Sequence, residues 1–154
     1  MKYLISLTIL LSFHILTIAQ THVNREWVET FGEPLDLEWS KSINGIDNQL
    51  IHVGNIATSN EGANISTTVY YNDGSIKWQS NYHSINQNND YGISVTFDQN
   101  ENVYVLGTTD NQNTANYDLL LLKYSSTGVL QWSQTFGSNY NLNDIGTELI
   151  LDDA

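Results

Sequence analysis

Asp90-Tyr91-Gly92-Ile93-Ser94-Val95-Thr96-Phe97, then Asp98-Gln99-Asn100-Glu101, then Asn102-Val103-Tyr104-Val105-Leu106-Gly107-Thr108 follow one another without a break. Ile93, Val95 and Phe97 alternate with Ser94 and Thr96, which predicts a strand over 91–97 with one apolar face. The polar run after it predicts a turn. Val103 to Leu106 are apolar on both faces, as a strand covered on both sides requires. A polar loop is expected from Thr109 to Asn116. Asp118–Tyr124, built on Leu119-Leu120-Leu121-Leu122, predicts a third strand. Ser125-Ser126-Thr127-Gly128 turns the chain into a fourth, Val129–Phe136. There Leu130, Trp132 and Phe136 alternate with Gln131, Ser133 and Thr135, the pattern of a half-exposed outer strand.

This unit recurs. Trp27, Trp78 and Trp132 each stand four residues before an aromatic, at Phe31, Tyr82 and Phe136. Asp36, Asp90 and Asp144 are evenly spaced, and Gly74 and Gly128 share that spacing. The first copy draws its strands from Leu37, Trp39 and Ile43, from Gln49–Gly54, from Ile65–Tyr71 and from Ile76, Trp78 and Tyr82. Asn72-Asp73-Gly74 supplies its last hairpin, because Asp-Gly tolerates the positive φ of a tight turn. A third copy opens at Asn143-Asp144-Ile145-Gly146, matching Asn89-Asp90-Tyr91-Gly92. Four antiparallel strands repeating every ~50 residues predict an all-β fold, a partial β-propeller of four-stranded blades. An open β-solenoid or a sandwich is the rival. A lone sheet cannot cover both faces of Val103–Leu106, whereas blade stacked on blade can.

The expected division is a signal peptide at 1–19, an orphan outer strand and linker at 20–34, blade 1 at 35–88, blade 2 at 89–142 and the start of a third blade at 143–154. The orphan strand, Arg25–Phe31, either caps the first blade or completes the last blade of a closed ring through Trp27 and Phe31. Rings need about four to eight blades. The chain is therefore expected to be part of a larger polypeptide, or else to self-associate.

Asp90 to Asp98, followed by Asn102-Val103-Tyr104-Val105-Leu106-Gly107-Thr108-Thr109, resembles the repeat of secreted bacterial SBBP β-propeller proteins. Asp118, Lys123-Tyr124, Gly128 and Trp132 fit the second half of that repeat. The first copy departs from it, with Glu38 in the place of Gly92 and His52 in the place of Val105. The resemblance implies a propeller fold and export, and little chemistry. The Asp73-Gly74 and Thr127-Gly128 turns, each four residues before a tryptophan, are also similar to the repeat of quinone-cofactor (PQQ) propellers, but the channel residues that would hold the quinone are not found.

Met1-Lys2, the apolar Tyr3–Ile18 and the small residues up to Ala19 read as a signal peptide with Gln20 as the mature N-terminus. The apolar run is shorter than the ~20 residues a bilayer span needs. The chain has no cysteine, so stability rests on burial and sheet hydrogen bonds. Losing Lys2 with the leader takes the net charge from −12 to −13. Only Arg25, Lys41, Lys77 and Lys123 then remain basic, which argues against nucleic acid and anionic membrane as partners.

Candidate chemistry is sparse. Asp98, Asn100 and Asn102 have the D-x-N-x-N spacing of a calcium loop, but Val103 replaces the glycine such a loop needs, and a solvated turn is the simpler reading. Asp144, Asp152 and Asp153 read as turn residues. His22, His52 and His83 lack metal spacing, and His52 reads as a hydrogen-bonded core residue. No serine sits in a G-x-S-x-G elbow. Asn64-Ile65-Ser66 is formally a glycosylation sequon. No catalytic, cofactor-binding or metal residue is therefore assigned, and no cofactor. The expected function is a non-catalytic, secreted or surface scaffold or binding module for protein or glycan. The alternative is the propeller part of an exported hydrolase, lyase or PQQ-like dehydrogenase whose site lies outside this chain. The loops at Tyr82–Asn89 and Thr109–Asn116 are the places to look for a ligand.

Overall fold

A computed structural model describes residues 40–58, 62–84, 89–111, 116–138 and 142–152. The leader, the Arg25–Phe31 strand with Trp27, and His22, Asp36, Leu37, Glu38, Trp39 and Asp153 lie outside the described residues. Eight strands form two four-stranded antiparallel sheets, each a meander in sequence order. The first holds β1 (Lys41–Asn44), β2 (Leu50–Thr58), β3 (Gly62–Tyr70) and β4 (Ile76–Tyr82). The second holds β5 (Asp90–Phe97), β6 (Val103–Asn111), β7 (Asn116–Tyr124) and β8 (Leu130–Phe136).

The hairpin between β6 and β7 is tighter than the sequence predicts. Thr109, Asp110 and Asn111 pair with Asp118, Tyr117 and Asn116, so strand pairing extends into the expected polar loop from both sides, and residues 112–115 of that loop lie outside the described residues. Backbone hydrogen bonding continues through polar residues because it uses main-chain groups alone. Likewise β2 runs on to Thr58 rather than ending at Gly54. In β5 the register shifts between Gly92 and Ser94, so Ile93 is bulged out of the ladder. The expected Ile93/Val95/Phe97 face is thereby broken: Gly92, opposite Gly107, and Val95, opposite Val105, share a face instead.

The two sheets pack face to face, with β5 lying against β1, β2 and β3. Ile51, Val53, Ile65, Val69 and Trp78 of the first sheet meet Val95, Val103, Val105, Leu120, Leu122 and Tyr124 of the second. The leucine run of β7 splits by parity, Leu120 and Leu122 buried and Leu119 and Leu121 half-buried. All of β8 is exposed, rather than the half predicted. Its far side meets no further sheet among the described residues. Gly74 and Gly128 hold the two last hairpins at φ of 85° and 81°, the left-handed region in which a Cβ is strained.

Candidate functional site

Polar side chains bridge the seam between the two sheets. Asn89 and Asp90 sit where the chain leaves the first sheet and enters β5. Asn89 accepts from the Ala63 amide at 3.0 Å through Oδ1, and its main-chain carbonyl accepts from the Asp110 amide at 2.9 Å. Asp90 accepts from the Ser84 amide at 2.7 Å through Oδ2. Asn55 of β2 reaches across to accept from the Gly92 amide at 2.8 Å. Gly92 lies so close to the first sheet that a Cβ there would stand 2.5 Å from Val53 Cγ2. These hydrogen bonds and the close approach at Gly92 thus tie the start of β5 to the preceding sheet.

The same clasp occurs a second time, in the same register. Asn143 Oδ1 accepts from the Tyr117 amide at 3.0 Å, and the Asp144 amide donates to the Tyr117 carbonyl at 2.7 Å. Asp144 Oδ2 accepts from the Ser138 amide. A Cβ on Gly146 would stand 2.5 Å from Leu106 Cδ2. Ala63 and Tyr117, Ser84 and Ser138, and Asn89 and Asn143 are each one repeat apart. Asn-Asp-x-Gly is therefore an inter-sheet fastening, and Asp144 does more than shape a turn. The sequence held this signal in its even spacing, but the partner amides lie in strands that sequence alone does not bring together.

A second contact closes the outer part of the seam. Trp78 on β4 packs against the Gly128 turn, where a Cβ would fall 2.7 Å from the indole. Its ring centroid lies 5.8 Å from that of Tyr124. Burial pushes the Tyr124 phenol up to about 12. Lys77 donates to Glu101 at 2.6 Å, closing a small cleft walled by Ile51, Val69, Trp78 and Phe97.

Asp90 is fully buried. Its Oδ1 lies beside the Thr109 and Ser84 hydroxyls without a direct hydrogen bond. Burial raises its carboxyl above the usual carboxylate range, opposed by those two hydroxyls, the Ser84 amide and the charge of His83. A buried carboxylate with no basic residue bonded to it is costly to ionise.

The remaining candidates are placed apart. Asp98 Oδ1 accepts from the Asn100 and Asn102 amides, both at 2.9 Å, and Oδ2 accepts from Asn102 Nδ2 at 2.8 Å and Tyr104 OH at 3.1 Å. Burial works to raise this carboxyl, but the hydrogen bonds outweigh it and hold it low. The carboxylate oxygens of Asp98 are thus committed to the turn, and Glu101 to Lys77. Among the described residues no group of three or more His, Asp or Glu side chains is placed to hold a metal. His52 is half-buried rather than in the core, its Nδ1 2.9 Å from Ser42 Oγ on the opposite strand. Burial lowers its pKa, which favours neutral imidazole. His83 is exposed. Asn64 of the sequon is buried within β3, 3% exposed, where no glycan would fit.

Repeated four-stranded sheets, a clasp at each junction and a tryptophan docked on the next sheet's glycine turn are the parts of a propeller. The SBBP family model, described as a β-propeller repeat, matches residues 82–113. That span runs from the end of β4 through the clasp and β5 to the far end of β6. No curated protein matches the chain. The chain is thus a β-propeller module, with two four-stranded blades among the described residues, and the matched segment contains the Asn89-Asp90-x-Gly92 side of the clasp that joins them.

Proposed function

We propose that this chain is the amino-terminal part of an exported, non-catalytic β-propeller that serves as a scaffold or binding module for protein or glycan at or outside the cell surface. The observation that carries the reading is where the polar chemistry goes. Asn89, Asp90, Asn143 and Asp144 are all occupied in joining one blade to the next, and Asp98 in shaping a turn. The leader read at residues 1–19 supports export, and the acidic charge supports a soluble product.

Two measurements test this. The chain with its native leader, expressed in a bacterial host, is expected in the exported fraction with Gln20 as its first residue. Retention in the cytoplasm with an intact leader refutes the export half. The exported protein is then screened on glycan and surface-protein arrays, where saturable binding without turnover is expected.

Ser42 and His52 favour a second reading, a hydrolase. A hydroxyl 2.9 Å from an imidazole whose pKa burial lowers is the start of a nucleophile–base pair. Labelling of Ser42 by a fluorophosphonate probe, abolished by Ser42→Ala, would establish it in place of the scaffold.

A further inference from the structure

We infer that the junction between the two blades holds a buried monovalent metal cation such as sodium, bound by the Asp90 carboxylate together with the Ser84 and Thr109 hydroxyls. The inference goes beyond the scaffold reading and does not depend on it.

Three segments bring these oxygens together. Asp90 opens β5 and stands directly opposite Thr109 on β6, so the two side chains leave the sheet on one face as cross-strand neighbours. Ser84, just past β4 of the first blade, is held against them by its amide, which donates to Asp90 Oδ2 at 2.7 Å. Asp90 Oδ1, Ser84 Oγ and Thr109 Oγ1 are all shut off from solvent, and none has a hydrogen-bond partner. Asp90 as a whole is 0% exposed. Burial raises its carboxyl, and both hydroxyls lie near enough to oppose that rise. Buried oxygens that gather without bonding one another form a cradle of hard donors, the kind that alkali and alkaline-earth cations take.

Charge selects the occupant. A buried carboxylate is met by a basic group, by a metal or by a proton. Among the described residues every lysine is engaged elsewhere: Lys41 on Glu148, Lys77 on Glu101 and Lys123 over the Tyr104 ring. Of the titratable groups near Asp90, Tyr82 and His83 come from the end of β4, and Asp110 follows Thr109 on β6. His83 is exposed, and neither of the others supplies positive charge. A water molecule would satisfy the hydroxyls but leave the carboxylate uncompensated. A divalent ion would leave a net positive charge in the seam, and calcium draws on roughly six to eight oxygens. One monovalent cation closes the balance. Asp144, the counterpart of Asp90 in the second clasp, is only half-buried, so solvent meets its charge. The ion thus pins this junction, joining Ser84 of the first blade to Asp90 and Thr109 of the second.

The test compares urea unfolding of the full chain in sodium chloride and in choline chloride at equal ionic strength, in mildly alkaline solution where the carboxylate is ionised. With sodium about tenfold above its dissociation constant, the folded-to-unfolded ratio is expected to rise about tenfold and then to saturate with the logarithm of added salt as single-site binding requires. In acid solution the proton takes the carboxylate and the sodium effect should vanish. Asp90→Asn should abolish the rise, whereas Asp144→Asn, which removes one carboxylate from the same acidic protein, should keep it. If Asp90→Asn does not fold, Thr109→Val carries the test and should weaken the sodium response. Equal stability of the parent in sodium and choline overturns the proposal and leaves Asp90 to the proton. A sodium effect that survives Asp90→Asn, or is undiminished in Thr109→Val, overturns it as non-specific screening. So does calcium displacing sodium from the Asp90-dependent site, since charge balance would then not select the ion.

Discussion

Replacing Gly92 by alanine tests whether blade spacing is set by that one contact. The added methyl would stand 2.5 Å from Val53 Cγ2, 3.2 Å from Ile65 Cγ2 and 3.4 Å from the Gly54 carbonyl. Val53 and Ile65 are both fully buried and β-branched, so neither can swing its methyl away cheaply. The strand must move instead, and with it the clasp hydrogen bonds on either side. Overpacking of this kind costs about 2 kcal/mol, roughly 4–8 °C in Tm for a chain of this size. The decisive experiment is a double-mutant cycle read by urea unfolding. Val53→Ala alone leaves a cavity and costs about 1–3 kcal/mol. Combined with Gly92→Ala, the new methyl fills space that the valine vacates, so the pair should be less destabilised than the sum by about 1 kcal/mol or more. Additivity within about 0.5 kcal/mol would refute the argument that the Val53 contact is what excludes a side chain at Gly92.

Trp78→Ala should cost about 3–5 kcal/mol by calorimetry, while Trp132→Ala, on the open face, should change stability by no more than about 0.5–1 kcal/mol. Asn89→Ala leaves the Ala63 amide without its acceptor and should cost about 1–3 kcal/mol; equal stability of mutant and parent would remove the clasp from the account. The Asp90 carboxyl is raised in the folded state, so its protonated form is favoured there, and stability should fall as pH rises from the unfolded value through the raised folded one. Asp90→Asn retains an acceptor for the Ser84 amide and should flatten that slope in urea midpoints taken across the mildly acidic range, with Tyr82 and His83 left unchanged as the neighbouring titratable groups.

The fold was legible because its signals are local. Alternation in β8, the apolar runs of β6 and β7 and the Asp73-Gly74 turn each declare a strand or hairpin within a few residues, and the spacing of the tryptophans declares the repeat. The errors arose where tertiary pairing overrode local polarity. Thr109 to Asn111 look like a loop yet extend β6, because Tyr117 and Asp118 lie opposite them. Ile93 looks like a core residue yet is bulged, because Gly92 must face Gly107 while Val95 faces Val105. The clasp was visible only as a spacing, since its chemistry depends on amides one strand pair away. The Lys77–Glu101 pair gave no sequence signal at all, as nothing in either residue's neighbourhood points to the other.

The seam has a direction. At each observed junction the later blade contributes asparagine, aspartate and glycine, and the earlier blade contributes main-chain amides and an aliphatic side chain. The first repeat keeps Asp36 but has Leu35 and Glu38 where the later copies have asparagine and glycine. A leucine cannot accept from an amide. A glutamate at the glycine position adds a whole side chain where Gly92 and Gly146 leave no room for a single carbon. The leading edge of the first blade is therefore not built to clasp a preceding blade as the second and third repeats do. Installing both residues by Leu35→Asn and Glu38→Gly should leave the stability of this chain within about 0.5 kcal/mol, because among the described residues no preceding sheet offers amides for them to grip. A large gain instead would mean that this edge is already engaged, and the directionality argument would fail.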